Sequence, residues 1–240
     1  MTFTELSMEK GRTPAPPTWM PRASQGLVVD VRRAIIPASL SLLALLWFGL
    51  AVPWWVLVLA ALVVPSGYFA ATVYVHRKWP AFEAEFNQHL MAGNVDALWN
   101  LYRDARLLRW LAPPHRAKLR LGMVLSLRGD HRRACEVLEA AWVLAPRQKR
   151  AELLGPLVRV KHALGDVDDL RPLAEQWRQH ALFPGPASLY VAAAMLADPR
   201  ETDTARALEL LDEAVPGLSE EDRERARALR ARAEDRLAGA

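Results

Sequence analysis

Cysteine is almost absent from this 240-residue chain, since Cys135 is its single cysteine. An intramolecular disulfide and any zinc or iron–sulfur site built from several cysteines are therefore excluded. The sequence also lacks a glycine-rich phosphate loop, a serine-centred nucleophile elbow and the paired histidines of zinc proteases. Its six histidines are scattered without metal-ligand spacing. These absences predict a protein that is not an enzyme and that holds no metal or cofactor.

Charge is missing from one long part of the chain. Residues 34–75 contain no Asp, Glu, Lys, Arg or His. This run of 42 residues is about twice what one membrane-spanning helix needs, and Pro53 interrupts it near the middle. The pattern predicts a transmembrane helical hairpin with spans over Ala34–Ala51 and Val56–Val75, about 27 and 30 Å long. A buried hairpin in a protein outside the membrane is the alternative.

Cations flank the uncharged run at both outer ends. Arg32 and Arg33 precede it, Arg77 and Lys78 follow it, and the central turn has none. The positive-inside rule then predicts a protein integral to the plasma (inner) membrane of a bacterium, with both termini cytoplasmic. Residues 1–33, which open with a proline-rich, aperiodic stretch, are expected to form a disordered cytoplasmic tail.

Beyond Trp79 the sequence has the periodicity of helices. Apolar residues recur three and four positions apart and are interrupted every dozen or so residues by Gly, Pro or an acidic residue. Strong helix formers dominate and β-branched clusters are few. The predicted helices cover residues 80–92, 94–110, 114–128, 130–145, 147–164, 166–181, 186–197, 203–215 and 219–238.

A repeat runs through these predicted helices. The pairs Gly93-Asn94, Gly129-Asp130, Gly165-Asp166 and Thr202-Asp203 recur at steps of 36, 36 and 37 residues. Glycine suits the left-handed end of one helix, and Asn or Asp caps the amides that begin the next. Small or apolar residues stand at fixed offsets behind each pair. They are Leu98, Ala134, Leu170 and Ala207 at five, Tyr102, Leu138, Ala174 and Leu211 at nine, and Ala105, Ala141, Trp177 and Ala214 at twelve.

One unit carries further signals, because Leu121, Gly122 and Leu125 precede its turn and Pro146 closes it. With these residues the chain resembles the tetratricopeptide repeat over residues 80–240. The resemblance implies an all-α fold, namely a tetratricopeptide-like α-solenoid of about four helix pairs behind the transmembrane hairpin. The residues that define the repeat are Gly93, Gly129, Asp130, Ala134, Leu138, Ala141, Pro146, Gly165, Asp166, Ala207, Leu211 and Ala214. A helical bundle with chance spacing is the alternative.

The resemblance also implies a function. Such solenoids present a concave groove to a protein or peptide, which predicts a membrane-anchored adaptor or scaffold. The first helix of each pair lines that groove. The residues expected to meet the partner are therefore Arg116, Met123, Arg159 and His162, which suit an acidic peptide with a hydrophobic anchor.

The distribution of charge leaves a second interpretation open. Arg103–Lys161 has a net charge of +9, and His162–Ala240 has a net charge of −6. The basic segment could contact anionic lipid in a self-associating structural membrane component, a homo-oligomer. Nucleic acid is not expected as a partner, because the net charge of the whole chain is only +4 and its arginines do not pair with exposed aromatic residues.

Overall fold

A computed structural model describes Ser41, residues 53–198 and residues 203–238. All regular secondary structure in this part of the chain is helical. The α-helices are α1 (Trp54–Met91), α2 (Val95–Asp104), α3 (Arg106–Leu111), α4 (Pro114–Leu127), α5 (His131–Leu144), α6 (Ala151–Leu164), α7 (Val167–His180), α8 (Gly185–Ala197), α9 (Thr204–Ala214) and α10 (Glu220–Ala238). The chain divides between Ala117 and Lys118 into an N-terminal and a C-terminal unit.

The structure of α1 contradicts the prediction made for the uncharged run, residues 34–75. No helix in the described part of the chain is long and apolar enough to cross a membrane. The predicted transmembrane hairpin over residues 34–75, the two-span contact with a membrane and the integral location in the plasma membrane are therefore wrong. Residues Val56–Val75 do not form a separate span, because they begin a 38-residue helix that continues through Arg77 and Lys78. The predicted tail and, except for Ser41, the predicted first span lie outside the described residues.

The second half of α1 packs within the N-terminal unit. Trp79, Phe82 and Phe86 are buried and recur at helical spacing on one face. Their ring centroids lie 5.3 and 5.9 Å apart, within the range of favourable aromatic pairs. This aromatic row spans Pro80, where we had expected a helix to begin. Packing on both sides of the proline explains why its missing amide does not end the helix.

Glycine turns separate the helices at the repeat positions. Gly93, Gly129 and Gly165 have φ values of 67°, 81° and 73°, which glycine adopts without steric cost. After each of these glycines, the next amide donates to the carbonyl five residues earlier, as in a Schellman motif. Asn94, Asp130 and Asp203 then accept hydrogen bonds from backbone amides three residues on. The turns at Gly93 and Gly129 therefore both end one helix and cap the next, whereas Asp166 makes no such capping bond and pairs with Lys161.

The core of the C-terminal unit contains the residues at the fixed offsets. Ala134, Leu138, Ala141, Leu170, Ala174, Ala207, Leu211 and Ala214 are all buried. Helices α4 and α5 meet at Gly122, where an added Cβ would lie 2.5 Å from Cγ of Leu138. Pro146 is exposed and precedes a 3₁₀ turn between α5 and α6. The apolar face predicted for these helices is therefore the packed face.

Helix α8 occupies the centre of this unit. It packs against α7 and α9, and also against α6 and α10. Every residue of α8 except Pro186 and Ala197 is buried. A helix with neighbours on so many sides has to be free of charged side chains. Residues 181–197 contain no charged residue.

Candidate functional site

The residues predicted to line a groove are divided between the two units. Arg116 is half-buried in the N-terminal unit, and the other three belong to the C-terminal unit. Met123 packs against the core, and its sulfur accepts a 3.6 Å hydrogen bond from Nη1 of Arg120. Arg159 and His162 are exposed on α6. Within the C-terminal unit, the structure thus places Arg159 and His162 on the exposed side of one helix, whereas Met123 belongs to the packed core.

This side of α6 does not form the wall of an open groove, because α8 packs directly beneath it. The ring of His162 meets Tyr190 edge-on, with 5.2 Å between the ring centroids, and Tyr190 is buried. The guanidinium group of Arg225 of α10 lies near the Tyr190 hydroxyl. Burial raises the pKa of Tyr190, so the hydroxyl stays neutral. Side chains from α6 and α10 therefore cover α8 on the side where the concave groove was expected.

His162 does not add a positive charge to this face. Desolvation lowers its pKa, and the nearby charge of Arg225 lowers it further. Because the ordinary pKa of histidine is already about 6.5, the imidazole is neutral at pH 7. The attraction for an acidic peptide predicted here therefore depends on Arg159 and not on His162.

A cleft opens on another side of α8, between α7 and α9. Its volume is about 580 Å³, which lies within the range of ligand-binding sites. Its lining residues come from these three helices and from the segments that precede α8 and α9. They are Arg171, Glu175, Arg178, Gln179, Pro184, Val191, Met195, Asp203, Arg206, Leu210 and Glu213.

The floor of the cleft is apolar and its walls are polar. Val191, Met195 and Leu210 are buried beneath it. Arg178 of α7 and Glu213 of α9 connect the two walls, since Nη2 of Arg178 lies 2.9 and 3.3 Å from the two carboxylate oxygens of Glu213. Both side chains are only partly exposed, which strengthens the ion pair relative to one in open solvent. The pair ties α7 to α9 beside the cleft.

Positive and negative charges are balanced around the cleft. Its lining holds three arginines and three carboxylates. Arg171 pairs with Glu175 at 3.1 Å, and Arg206 pairs with Glu209 at 2.6 Å. A strongly charged ligand would have to break these pairs and would gain no net attraction. The balanced charges therefore provide no net attraction for a charged group, and the floor of the cleft is apolar.

A second cluster links three helices through a buried lysine. Nζ of Lys161 lies 2.7 Å from Asp166, 3.2 Å from Asp169 and 3.4 Å from Glu139. Burial alone would lower the pKa of Lys161, but its hydrogen bonds to Asp166 and Asp169 outweigh burial and raise it. The ammonium group thus stays charged and joins α6 to α5 and to the start of α7. Its contacts are those of a structural cation.

Cys135 belongs to the same cluster. Its thiol donates a 3.2 Å hydrogen bond to Glu139. Burial, followed by the hydrogen bond and charge of Glu139, raises the pKa of Cys135 to about 12. Because only the thiolate is a nucleophile, this sulfur is inert near neutral pH. Neither Cys135 nor Lys161 is arranged to carry out chemistry.

No protein-family model, curated protein or solved structure matches this chain. What the chain does must be inferred from its own residues. None of the cleft residues was predicted as a binding residue from the sequence. The one available signal was the uncharged segment 181–197, which indicates a central helix but not which of its sides stays open.

Proposed function

We propose that this protein is a tetratricopeptide-like interaction module that binds a segment of a partner protein in the cleft between α7 and α9. The observation that supports this proposal most directly is a cleft of about 580 Å³. It combines a buried apolar floor with walls that hold equal numbers of positive and negative side chains. In this proposal the module acts by binding and not by catalysis, and it uses no cofactor. The 36-residue spacing of the glycine turns supports the repeat relationship.

The floor determines what the cleft can accept. Val191 and Met195 lie one helical turn apart on α8, and Leu210 faces them from α9. A methionine side chain adapts its shape to different apolar groups. The preferred occupant is therefore a single large apolar side chain of the partner. Backbone groups on either side of it can reach Gln179 and the charged residues of the walls.

Site-specific photo-crosslinking in cells tests this proposal. A photoreactive phenylalanine analogue replaces Gln179, which is exposed at the wall of the cleft, in the full-length protein. The matched variant carries the same group at His162, on the α6 face predicted from the sequence. We expect crosslinked protein from position 179 and little from position 162.

A blocking substitution makes the result specific to the cleft. Arg206→Trp places a bulky ring at the exposed rim and should reduce crosslinking from position 179 by at least about tenfold, because it occupies the space of the anchor. Crosslinks that persist unchanged in the blocked variant would contradict the proposal. Crosslinks from position 162 and none from position 179 would instead favour the groove predicted from Arg159 and His162.

A further inference from the structure

Two large apolar side chains are exposed next to the cleft. Leu182 and Phe183, in the loop between α7 and α8, are 77% and 78% exposed. Single exposed apolar residues are common on proteins, but two adjacent ones at the rim of an apolar cleft form a continuous patch. Gln179 and Pro184, on either side of the pair, both line the cleft. The exposed pair and the cleft are therefore parts of one surface.

We propose that a second copy of this chain occupies the cleft, inserting its Leu182–Phe183 loop while its own cleft receives the same loop in return. This inference rests on the proposed function, because it names the partner of the same site. A two-fold axis allows such an exchange, because in an isologous interface the loop of each copy can contact the cleft of the other. The contact closes after two copies and yields a dimer.

Charge complementarity favours this occupant. The loop belongs to a segment, residues 181–197, that contains no charged residue. The cleft lining has equal numbers of arginines and carboxylates, so a neutral loop can enter without leaving a buried charge unpaired. Phe183 supplies the large apolar side chain that the floor of Val191, Met195 and Leu210 requires.

Cysteine crosslinking between two differently tagged full-length chains tests the exchange. One chain carries Leu182→Cys, which leaves the Phe183 anchor in place, and the other carries Gln179→Cys, so a crosslink between the two tags must join a loop to a cleft. The native Cys135 is buried and does not interfere. The control replaces Leu182→Cys by Gln148→Cys, at another exposed turn of the same unit. We expect a crosslinked heterodimer from the first pair at several times the yield of the control pair.

Sedimentation equilibrium gives the energetic test. Phe183→Asp places a charge where an apolar anchor should be buried, which costs about tenfold in affinity for each loop and therefore about a hundredfold in the dimer Kd, because two loops exchange. Phe183 is exposed in the single chain, so the variant should fold with the same helical circular dichroism as the native protein. Leu237→Asp, on exposed α10, is the control and should leave the Kd unchanged.

The possible outcomes distinguish the failure of the loop exchange from the failure of the proposed binding cleft. A native protein that stays monomeric, or a crosslink yield no higher than that of the control pair, overturns the exchange. If Gln179 then photo-crosslinks a different protein in cells, the cleft still binds a partner and only the identity of that partner was wrong. If position 179 crosslinks no protein at all, both proposals fail.

Discussion

Helices α1 and α8 are both uncharged over several turns, yet they meet opposite environments. In α8 nearly every side chain is buried, including Leu189 at 2% exposure. In the first half of α1, Leu62 is 63% and Phe69 is 70% exposed. The difference lies in the neighbours, because α7 and α9 pack against α8. The described buried side chains of α1 begin only at Val75. Apolar composition permits burial, and the connections of a helix determine whether it occurs.

Truncation of a leucine in each helix is the strongest test of this contrast. Leu189→Ala in α8 removes a fully packed side chain and should lower the free energy of unfolding by about 2–5 kcal/mol. Leu62→Ala in α1 should change it by less than about 0.5 kcal/mol. Urea unfolding of the full-length protein, followed by circular dichroism, measures both values. Equal losses at the two positions would contradict the assigned burial.

Two glycines within helices also differ in packing, and the expected changes in the free energy of unfolding are smaller. A methyl group at Gly122 would lie 2.5 Å from Leu138, so Gly122→Ala should cost about 1–3 kcal/mol through overpacking. At Gly67 nothing lies within 4 Å of an added Cβ. Gly67→Ala should therefore be neutral or stabilise the protein by up to about 1 kcal/mol, since alanine favours the helix. Thermal unfolding compares the two, and a stabilising Gly122→Ala would show that α4 and α5 are less closely packed.

The pH dependence of stability tests the buried cluster that contains Cys135 and Lys161. The pKa of Cys135 is raised to about 12, and that of Lys161 is raised as well. Both groups hold their protons more tightly in the folded state than in the unfolded state. The contribution of Cys135 to stability is therefore complete below its unfolded pKa of about 9 and is lost as the pH rises toward 12, whereas that of Lys161 is lost only above its higher unfolded pKa. Cys135→Ala should flatten the decline measured by urea unfolding between pH 8.5 and 10.5. An identical decline in the variant would count against the raised thiol pKa.

Thiol reactivity gives the mildest test, because it leaves stability almost unchanged. At pH 8 Cys135 should react with a thiol reagent at least about a hundredfold more slowly than an exposed cysteine, because little thiolate is present. Leu62→Cys in the exposed half of α1 supplies the comparison within one molecule. Absorbance after mixing with an aromatic disulfide reports both rates. Two thiols that react equally fast would place Cys135 at the surface.

The helix boundaries were predictable wherever the chain marks them with local chemistry. Gly129 followed by Asp130 provides a left-handed residue and a cap, so α4 and α5 end and begin within two residues of the expected positions. Pro80 was wrongly predicted to begin a helix. Packing of the aromatic row from Trp79 to Phe86 keeps α1 continuous on both sides of this proline. Local signals determine where a helix can stop, and packing determines whether it does.

The binding surface was less accessible to sequence reasoning than the helices. Arg159 and His162 were assigned to an open groove, but Tyr190 and Arg225 close α8 beneath them. The cleft depends on the gap between α7 and α9, which no residue spacing along the chain encodes. The pair Arg178 and Glu213 that crosses from one helix to the other is 35 residues apart in sequence. Only the packed arrangement brings it together.

The burial of α8 also affects how the chain is made. When synthesis has reached Ala197, α8 is present but the helices α9 and α10 that cover two of its sides have not yet been translated. A product cut short there leaves an uncharged helix exposed. Such a product is a substrate for chaperones and proteases. A frameshift after Ala197 would therefore remove the protein from the cell and not leave a shortened, partly active form.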